Sequence, residues 1–240
     1  MDRKVAKLLN GKPMTQDFYL YVVDAACRYT NSIPDGFFEA ECVTGNTWNR
    51  NLDLTAIDKD RIAAESQRYG FGNVAYTGEQ RALVKGRSHT DSRLSDYQAH
   101  IVLDKEKIAQ LQQSKSHIVQ RVLDSGGREL NVFLLRDLRT RQLHLLSYYA
   151  VFDPVRNINR KLTTCRFELV PNEVIQDVLV KLQAYADALA LDYARVELIC
   201  DTATKEWYVI DINNSPGGGP LTDIAAPKIA KLIEQVCAVR

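Results

Sequence analysis

Apolar residues recur at helical spacing between residues 172 and 190. Val174, Ile175, Val178, Leu179, Leu182 and Leu189 fall on one stripe, and Pro171 stands at its entry. The spacing predicts a helix there. Weaker helical patterns cover TQDFYLYVVDAACRYT at 15–30, with Thr15 as N-cap, and AIDKDRIAAESQRYGFG, with Asp58 as cap and Gly70 and Gly72 as the stop. Asp104 is placed to cap a helix over 105–113, and a last helix is expected over 223–238. Alternation of apolar and polar positions predicts strands at 80–85, 117–123, 130–136, 142–151, 193–200 and 206–213. SGGRE reads as a hairpin turn between the second and third of these, and DTATKE as the turn between the last two. Residues 31–57 carry Asn, Gly, Pro and Asp punctuation and read as irregular surface structure or short strands. Strands and helices mix without strict alternation, so the expected class is α+β with largely antiparallel sheets.

Side chains on a strand alternate between its two faces. In WYVIDIN, Asp211 and Asn213 therefore share one face, with Ile210 and Ile212 expected to enter the core. Arg195 and Glu197 share a face of the preceding strand. If the two strands pair, four polar groups meet on one surface. Carboxylates gathered there repel one another unless a cation lies among them, and two carboxylates with an amide oxygen are hard donors suited to Mg²⁺ bridging phosphates. The alternative is a hairpin with one solvated polar face, which leaves the Pro-Gly loop after it unexplained.

Composition narrows the classes. The chain has 240 residues, 45% hydrophobic and 25% charged, with a formal net charge of +1. Bulk charge thus does not point to nucleic acid or an anionic membrane. The longest apolar runs are too short for a membrane span, and MDRKVAKLLNGKPM lacks the apolar core of a secretory signal. Five scattered cysteines, Cys27, Cys42, Cys165, Cys200 and Cys237, show no CxxC spacing and read as reduced thiols of a cytoplasmic protein. Trp48 and Trp207 read as packing residues. His100, His117 and His144 read as structural. Ser-His-Asp or Cys-His spacing for a protein nucleophile is not evident.

Three ordered segments carry a resemblance: ALVKGRSHTDSR, HIVQRVLDSGGRELNVFLLRD, and Arg195-x-Glu197 followed by Asp211-x-Asn213 and Ser215-Pro216-Gly217. This order resembles the ATP-grasp superfamily, in particular its D-alanine–D-alanine ligase-like and ribosomal-protein glutamate ligase-like members. DKDRIAAESQRYGFG, CRFELVPNEV and YVIDINNSPGGGP are similar to small ATP-grasp proteins of unassigned substrate. The resemblance covers roughly residues 59–240. It departs from the family in placing Glu where Asp is common at 197 and Asp where Glu is common at 211. For the family's second phosphate-binding lysine, Lys59 is the candidate.

The resemblance implies an ATP-grasp fold with two α+β lobes clamping ATP: an N-terminal helical or irregular region at 1–58, an N-lobe at 59–120 and a C-lobe with the metal site at 121–240. It implies that Glu197, Asp211 and Asn213 hold one or two Mg²⁺, with Mn²⁺ able to substitute. Lys85, Ser88 and His89 would attend the phosphates of ATP. Gln120, Arg121, Val122 and Leu123 would hold the adenine edge, and either Asp124 or Glu129 the ribose. Arg195 would be catalytic; independently of the resemblance, Arg166 stands within an apolar stretch and reads as a paired residue, the second anion-binding catalytic candidate. The activity implied is ATP-dependent ligation of a small-molecule or peptide carboxylate to an amine acceptor through an acyl phosphate, without nucleic acid or membrane partners; a homo-oligomer is left open. A kinase of a hydroxylated acceptor and a non-catalytic nucleotide-binding module stand as alternatives.

Overall fold

The computed structural model describes residues 48–49, 51–86, 100–137, 139–152, 166–214 and 225–237. The expected helix at 15–30, the loop holding Ser88 and His89, and the loop from Ser215 to Gly219 lie outside these residues.

Two antiparallel sheets organise the chain. The smaller has the order β2-β1-β3, built from β1 (Ala82–Gly86), β2 (His100–Val102) and β3 (His117–Arg121). The larger has the order β6-β5-β4-β7-β8, built from β4 (Arg128–Arg136), β5 (Leu143–Val151), β6 (Arg166–Leu169), β7 (Tyr193–Cys200) and β8 (Trp207–Asn213). Among the described residues four α-helices accompany them: α1 (Lys59–Gln67), α2 (Lys105–Gln112), α3 (Gln176–Ala188) and α4 (Ala225–Cys237).

Alternation in the sequence decides which side chains each sheet buries. In β1, Ala82 and Val84 enter a small core with Val102 and Ile108 of α2, which leaves Leu83 and Lys85 on the other side. Asp104 caps α2 by accepting from the N–H groups of Glu106 (2.9 Å) and Lys107 (3.0 Å), as its position in the sequence predicts. In the larger sheet, Leu130, Val132, Leu134, Ala194, Val196, Leu198 and Ile212 face one way. They meet Ile175, Val178, Leu179, Leu182 and Tyr185 from the helical segment. The opposite face carries Glu129, Asn131, Tyr148, Arg195, Glu197, Asp211 and Asn213, and α4 lies across β4 and β5.

Several expectations need correction. SGGRE is not a hairpin turn: β3 and β4 belong to different sheets, and the segment between them is the hinge joining the two. Gly126 (φ +58°) and Gly127 (φ +75°) make the turn there in the left-handed region that glycine adopts readily. Val174 leaves the predicted apolar stripe and is 71% exposed. It sits in a 3-10 turn, Asn172–Ile175, where 3.0 residues per turn carry it off the face that a 3.6-residue period would give. Asn49, in a segment expected to be irregular surface structure or short strands, is buried, while Trp48 packs as its reading as a packing residue predicts, its ring stacked on Tyr193 at 5.7 Å between centroids. Ile62 and Phe71 share the core of the larger sheet, so the segment around α1 packs with the five-stranded sheet.

Gly72 meets the β7–β8 hairpin where no side chain fits. Its N–H donates to the Trp207 carbonyl at 2.8 Å, and a Cβ there would lie 2.2 Å from the ring of Tyr208, which is fully buried. Gly72→Ala is expected to cost about 1–3 kcal/mol through forced movement of that ring. Urea unfolding with an unchanged m-value would check it.

Candidate nucleotide and metal site

A cavity of about 300 Å³ opens between the two sheets. Leu83 and Lys85 of β1, Gln120 and Arg121 of β3, the hinge residues Val122 to Ser125, and Ile199 and Ile210 of the β7–β8 hairpin line it, with Val74 and Arg81 completing the wall. Its apolar sides suit a flat ring, and its hinge edge supplies backbone polar groups. Lys85 projects across it, and its Nζ donates to the Ile210 carbonyl at 3.1 Å.

Ile210 corrects the simple alternation expected of β8. Ile212 does enter the core, but the β7–β8 register shifts at Glu197/Leu198, so Leu198 pairs with Val209 while Glu197 pairs with Asp211. The extra residue, Ile210, is thereby turned toward the cavity, next to Asp211.

Beyond Ile210 stands the polar row. Glu197 lies directly opposite Asp211, and Arg195 opposite Asn213. The Asn213 amide nitrogen is 3.3 Å from Glu197 Oε1 and 3.5 Å from Asp211 Oδ2, so the two carboxylates converge on one amide. Arg195 Nη2 donates to Glu197 Oε1 at 2.7 Å. Glu197 is only 4% exposed, which rules out the solvated polar face. Burial works against the charge of Arg195, but the adjacent Glu197 carboxylate holds its guanidinium above the ordinary value.

Among the described residues no three His, Cys, Asp or Glu side chains gather closely enough to hold a metal alone. The donor set is therefore two carboxylates with an amide. Rotating the Asn213 amide would bring its oxygen where its nitrogen now meets both carboxylates, giving three hard oxygen donors. These residues fit a divalent cation such as Mg²⁺.

The hinge candidates separate. Asp124 lines the cavity, accepting from the Thr202 hydroxyl at 2.6 Å and from Gly126 N–H at 3.0 Å, which hold its carboxylate below the usual range. Glu129 lies apart from the cavity lining: it is buried on β4, where its Oε1 accepts from Asn131 Nδ2 at 3.2 Å. Arg166 is not brought to the site. It opens edge strand β6 opposite Val151, on the other face of the sheet, with its side chain 71% exposed and its Nε donating to Glu168 at 2.9 Å. Lys59 is buried on α1 and does not line the cavity.

Three polar residues near the site escaped the sequence reading. Asn131 and Tyr148 lie in register with Glu197 across the sheet, and Arg81 borders the cavity. Asn131 carried a usable signal, since a polar residue inside the apolar run LNVFLL has the same anomaly that marked Glu197. Tyr148 carried none, because tyrosine is at home in a strand.

This architecture, two antiparallel α+β sheets with a cavity at their hinge and a carboxylate pair beside it, is the ATP-grasp fold. Solved structures share this fold at low sequence identity. The D-Ala:D-Ser ligase VanG from Enterococcus faecalis aligns with a TM-score of 0.56 at 14% identity, over 84% of this chain and 66% of that one. The macrocyclase MdnC from Microcystis aeruginosa, bound with precursor peptide MdnA, aligns with a TM-score of 0.50 at 12% identity, over 75% and 61%. The chain thus spans less than two thirds of either relative. No protein-family model and no curated protein sequence matches it. None of the described helices is long and apolar enough to cross a membrane.

Proposed function

We propose that the protein is an ATP- and Mg²⁺-dependent ligase that joins a carboxylate to an amine through an acyl phosphate, its two sheets acting as the two lobes. The reading is carried by one observation: Glu197, Asp211 and Asn213 converge next to Ile210, a lining residue of the hinge cavity that Lys85 crosses. The neighbours named above, a D-Ala:D-Ser ligase and a macrocyclase bound with a precursor peptide, support a small-molecule or peptide carboxylate as substrate.

In this reading the base of ATP lies between the apolar walls, with Val122 and Leu123 offering backbone groups to its edge and Asp124 accepting from the ribose. Lys85 turns from Ile210 to the phosphates. Glu197, Asp211 and Asn213 would hold the cation, which supplies positive charge to the β and γ phosphates. A carboxylate oxygen of the substrate attacks the γ-phosphorus, the bond to the bridging oxygen breaks, and ADP leaves. Arg195 faces the transferring phosphoryl group and the acyl phosphate. The amine nitrogen then attacks the acyl carbon, the carbon–oxygen bond to phosphate breaks, and the amine loses its proton. Positioning and preorganised charge suffice for both steps, which need no protein nucleophile.

Hydroxylamine distinguishes this chemistry from phosphorylation of an alcohol. Incubated with Mg²⁺, ATP, hydroxylamine and a panel of amino acids and short peptides, the protein is expected to release ADP and an acyl hydroxamate from at least one carboxylate. Formation of a stable phosphorylated alcohol from a polyol or sugar panel, with no hydroxamate, would overturn the ligase in favour of a kinase. Lys85→Ala is expected to weaken ATP binding by ~10-fold or more, read by calorimetry, since a charge-assisted contact to phosphate is lost.

A further inference from the structure

The turn of the β7–β8 hairpin, residues 201–206, has no part in the proposed chemistry, but it grips the hinge. The Thr202 N–H donates to the Asp124 carbonyl at 2.8 Å, the Thr202 hydroxyl donates to Asp124 Oδ2 at 2.6 Å, and the Asp124 N–H donates to Asp201 Oδ2 at 3.4 Å. The Thr202 methyl reaches the hinge as well: a Cβ on Gly126 would lie 3.1 Å from Thr202 Cγ2.

The turn can hold the hinge because it is itself fixed. Asp201 is buried, and its Oδ1 accepts from the N–H groups of Ala203 at 2.8 Å and Thr204 at 3.1 Å. Its own N–H donates to the Glu206 carbonyl at 3.0 Å, and its carbonyl accepts from Lys205 N–H at 2.9 Å. The same hairpin carries Glu197 and Asp211 further along its strands. Asp124 is therefore anchored to the five-stranded sheet, although it follows closely on β3 of the three-stranded one.

The Asp124 carboxylate is held on both oxygens, Oδ2 by the Thr202 hydroxyl and Oδ1 by the Gly126 N–H at 3.0 Å. Two donors on two oxygens set the plane of a side chain that would otherwise rotate. A carboxylate has about four acceptor positions, so each oxygen keeps one in hand. Two acceptors side by side match the adjacent 2′ and 3′ hydroxyls of a ribose. Asp124 lines the cavity and Thr202 does not. We infer that Thr202 is a positioning residue that sets the Asp124 carboxylate for the ribose, so that the β7–β8 turn makes the protein select a ribonucleotide over one lacking these hydroxyls. This inference rests on the nucleotide site of the ligase reading, in which Asp124 accepts from the ribose.

The test is calorimetry on the full chain with Mg²⁺ and either ATP or 2′,3′-dideoxy-ATP. The wild type is expected to bind ATP about tenfold more tightly, since hydrogen bonds to a charged acceptor are lost with the hydroxyls. Thr202→Val keeps the shape, the methyl beside Gly126 and the N–H bond to Asp124, and removes only the hydroxyl. It is expected to shrink the preference to about twofold or less by weakening ATP, with dideoxy-ATP within about twofold of wild type. Thr202→Ser should restore most of the preference. Asp124→Ala should abolish it, and Thr202→Val added to Asp124→Ala should cost nothing further. The preference is a ratio of two affinities in one variant, so a smaller folded fraction does not imitate its loss, and Thr202→Ala serves if Thr202→Val folds poorly. A turn that merely braced the hinge would weaken both nucleotides equally. Equal losses, an unchanged preference in Thr202→Val, failure of serine to restore it, or additive effects with Asp124→Ala would overturn the inference. A wild type that binds neither nucleotide removes the ligase reading itself. One that binds both alike removes the contact between Asp124 and ribose, and this inference with it. One that prefers ATP, with Thr202→Val matching it, removes only this inference.

Discussion

Asp211→Asn is expected to lower turnover by roughly 10²–10³-fold while leaving the fold and the affinity for ATP nearly intact. The substitution changes one atom and no shape. The backbone of residue 211 stays paired with Glu197 across β7 and β8, and the neighbouring Ile210 and Ile212 keep their places in cavity and core. What is lost is one of two negative charges that meet at Asn213. A cation held by Glu197, Asp211 and Asn213 would supply positive charge that matters most while negative charge builds on the phosphate oxygens, so the loss should fall on the transition state more than on bound ATP. Thermal stability should hold or rise slightly, because a carboxylate beside buried Glu197 has been replaced by a neutral amide. Hydroxamate formation or ADP release at saturating ATP gives turnover, and a melting curve gives stability. Unchanged turnover would contradict the role given to Asp211.

The contrast between what could and could not be read beforehand follows from range. Helix α2 was legible because its cap is local: Asp104 bonds N–H groups two and three residues on. The β7–β8 hairpin was legible because its partners are near in sequence and its acidic residues are anomalous in strands. Strands β2 and β6, of three and four residues, offer too short a pattern for any period to show. SGGRE has the composition of a hairpin turn, and only the sheet assignment of the strands on either side reveals a hinge, which is tertiary information. Arg166 lies in an apolar stretch that suggested a paired, anion-binding residue, but β6 is an edge strand and its residue 166 faces away from the polar row. Ile210 escaped because strict alternation assumes an unbroken ladder, and one shifted pairing redirects a side chain. Tyr148 becomes visible only when β5 is set beside β4 and β4 beside β7, since Glu197, in the same row across the sheet, lies 49 residues away (148 to 197).

Asn49→Ala is expected to be the most destabilising of the substitutions considered, by about 3–5 kcal/mol, although Asn49 does not line the nucleotide cavity. The side chain is 2% exposed and its hydrogen-bonding capacity is fully used. Its Oδ1 accepts from Asp192 N–H at 2.8 Å and Tyr193 N–H at 3.0 Å, and its Nδ2 donates to the carbonyls of Tyr193 at 2.7 Å and Asn214 at 3.1 Å. Its own N–H donates to Asp192 Oδ2 at 3.1 Å, and Asp192 in turn accepts from Arg136 Nε at 2.8 Å. One residue thus ties the start of β7 to the end of β8. Truncation to alanine leaves buried N–H groups and carbonyls without partners, and each such group costs about 1–3 kcal/mol, with the sum reduced by relaxation. The backbone adds to the effect: φ is +61°, a conformation that asparagine tolerates and alanine resists. Asn49→Gly separates the two contributions, since it removes the same hydrogen bonds but welcomes that φ; it should be less damaging than alanine by about 1 kcal/mol. Because Asn214 follows Asn213 directly, releasing its carbonyl should also loosen the amide on which Glu197 and Asp211 converge. Urea unfolding of both variants, with hydroxamate turnover measured well below their melting temperatures, tests the pair of effects together. Stability within about 1 kcal/mol of wild type would show that the clip does not hold β7 to β8.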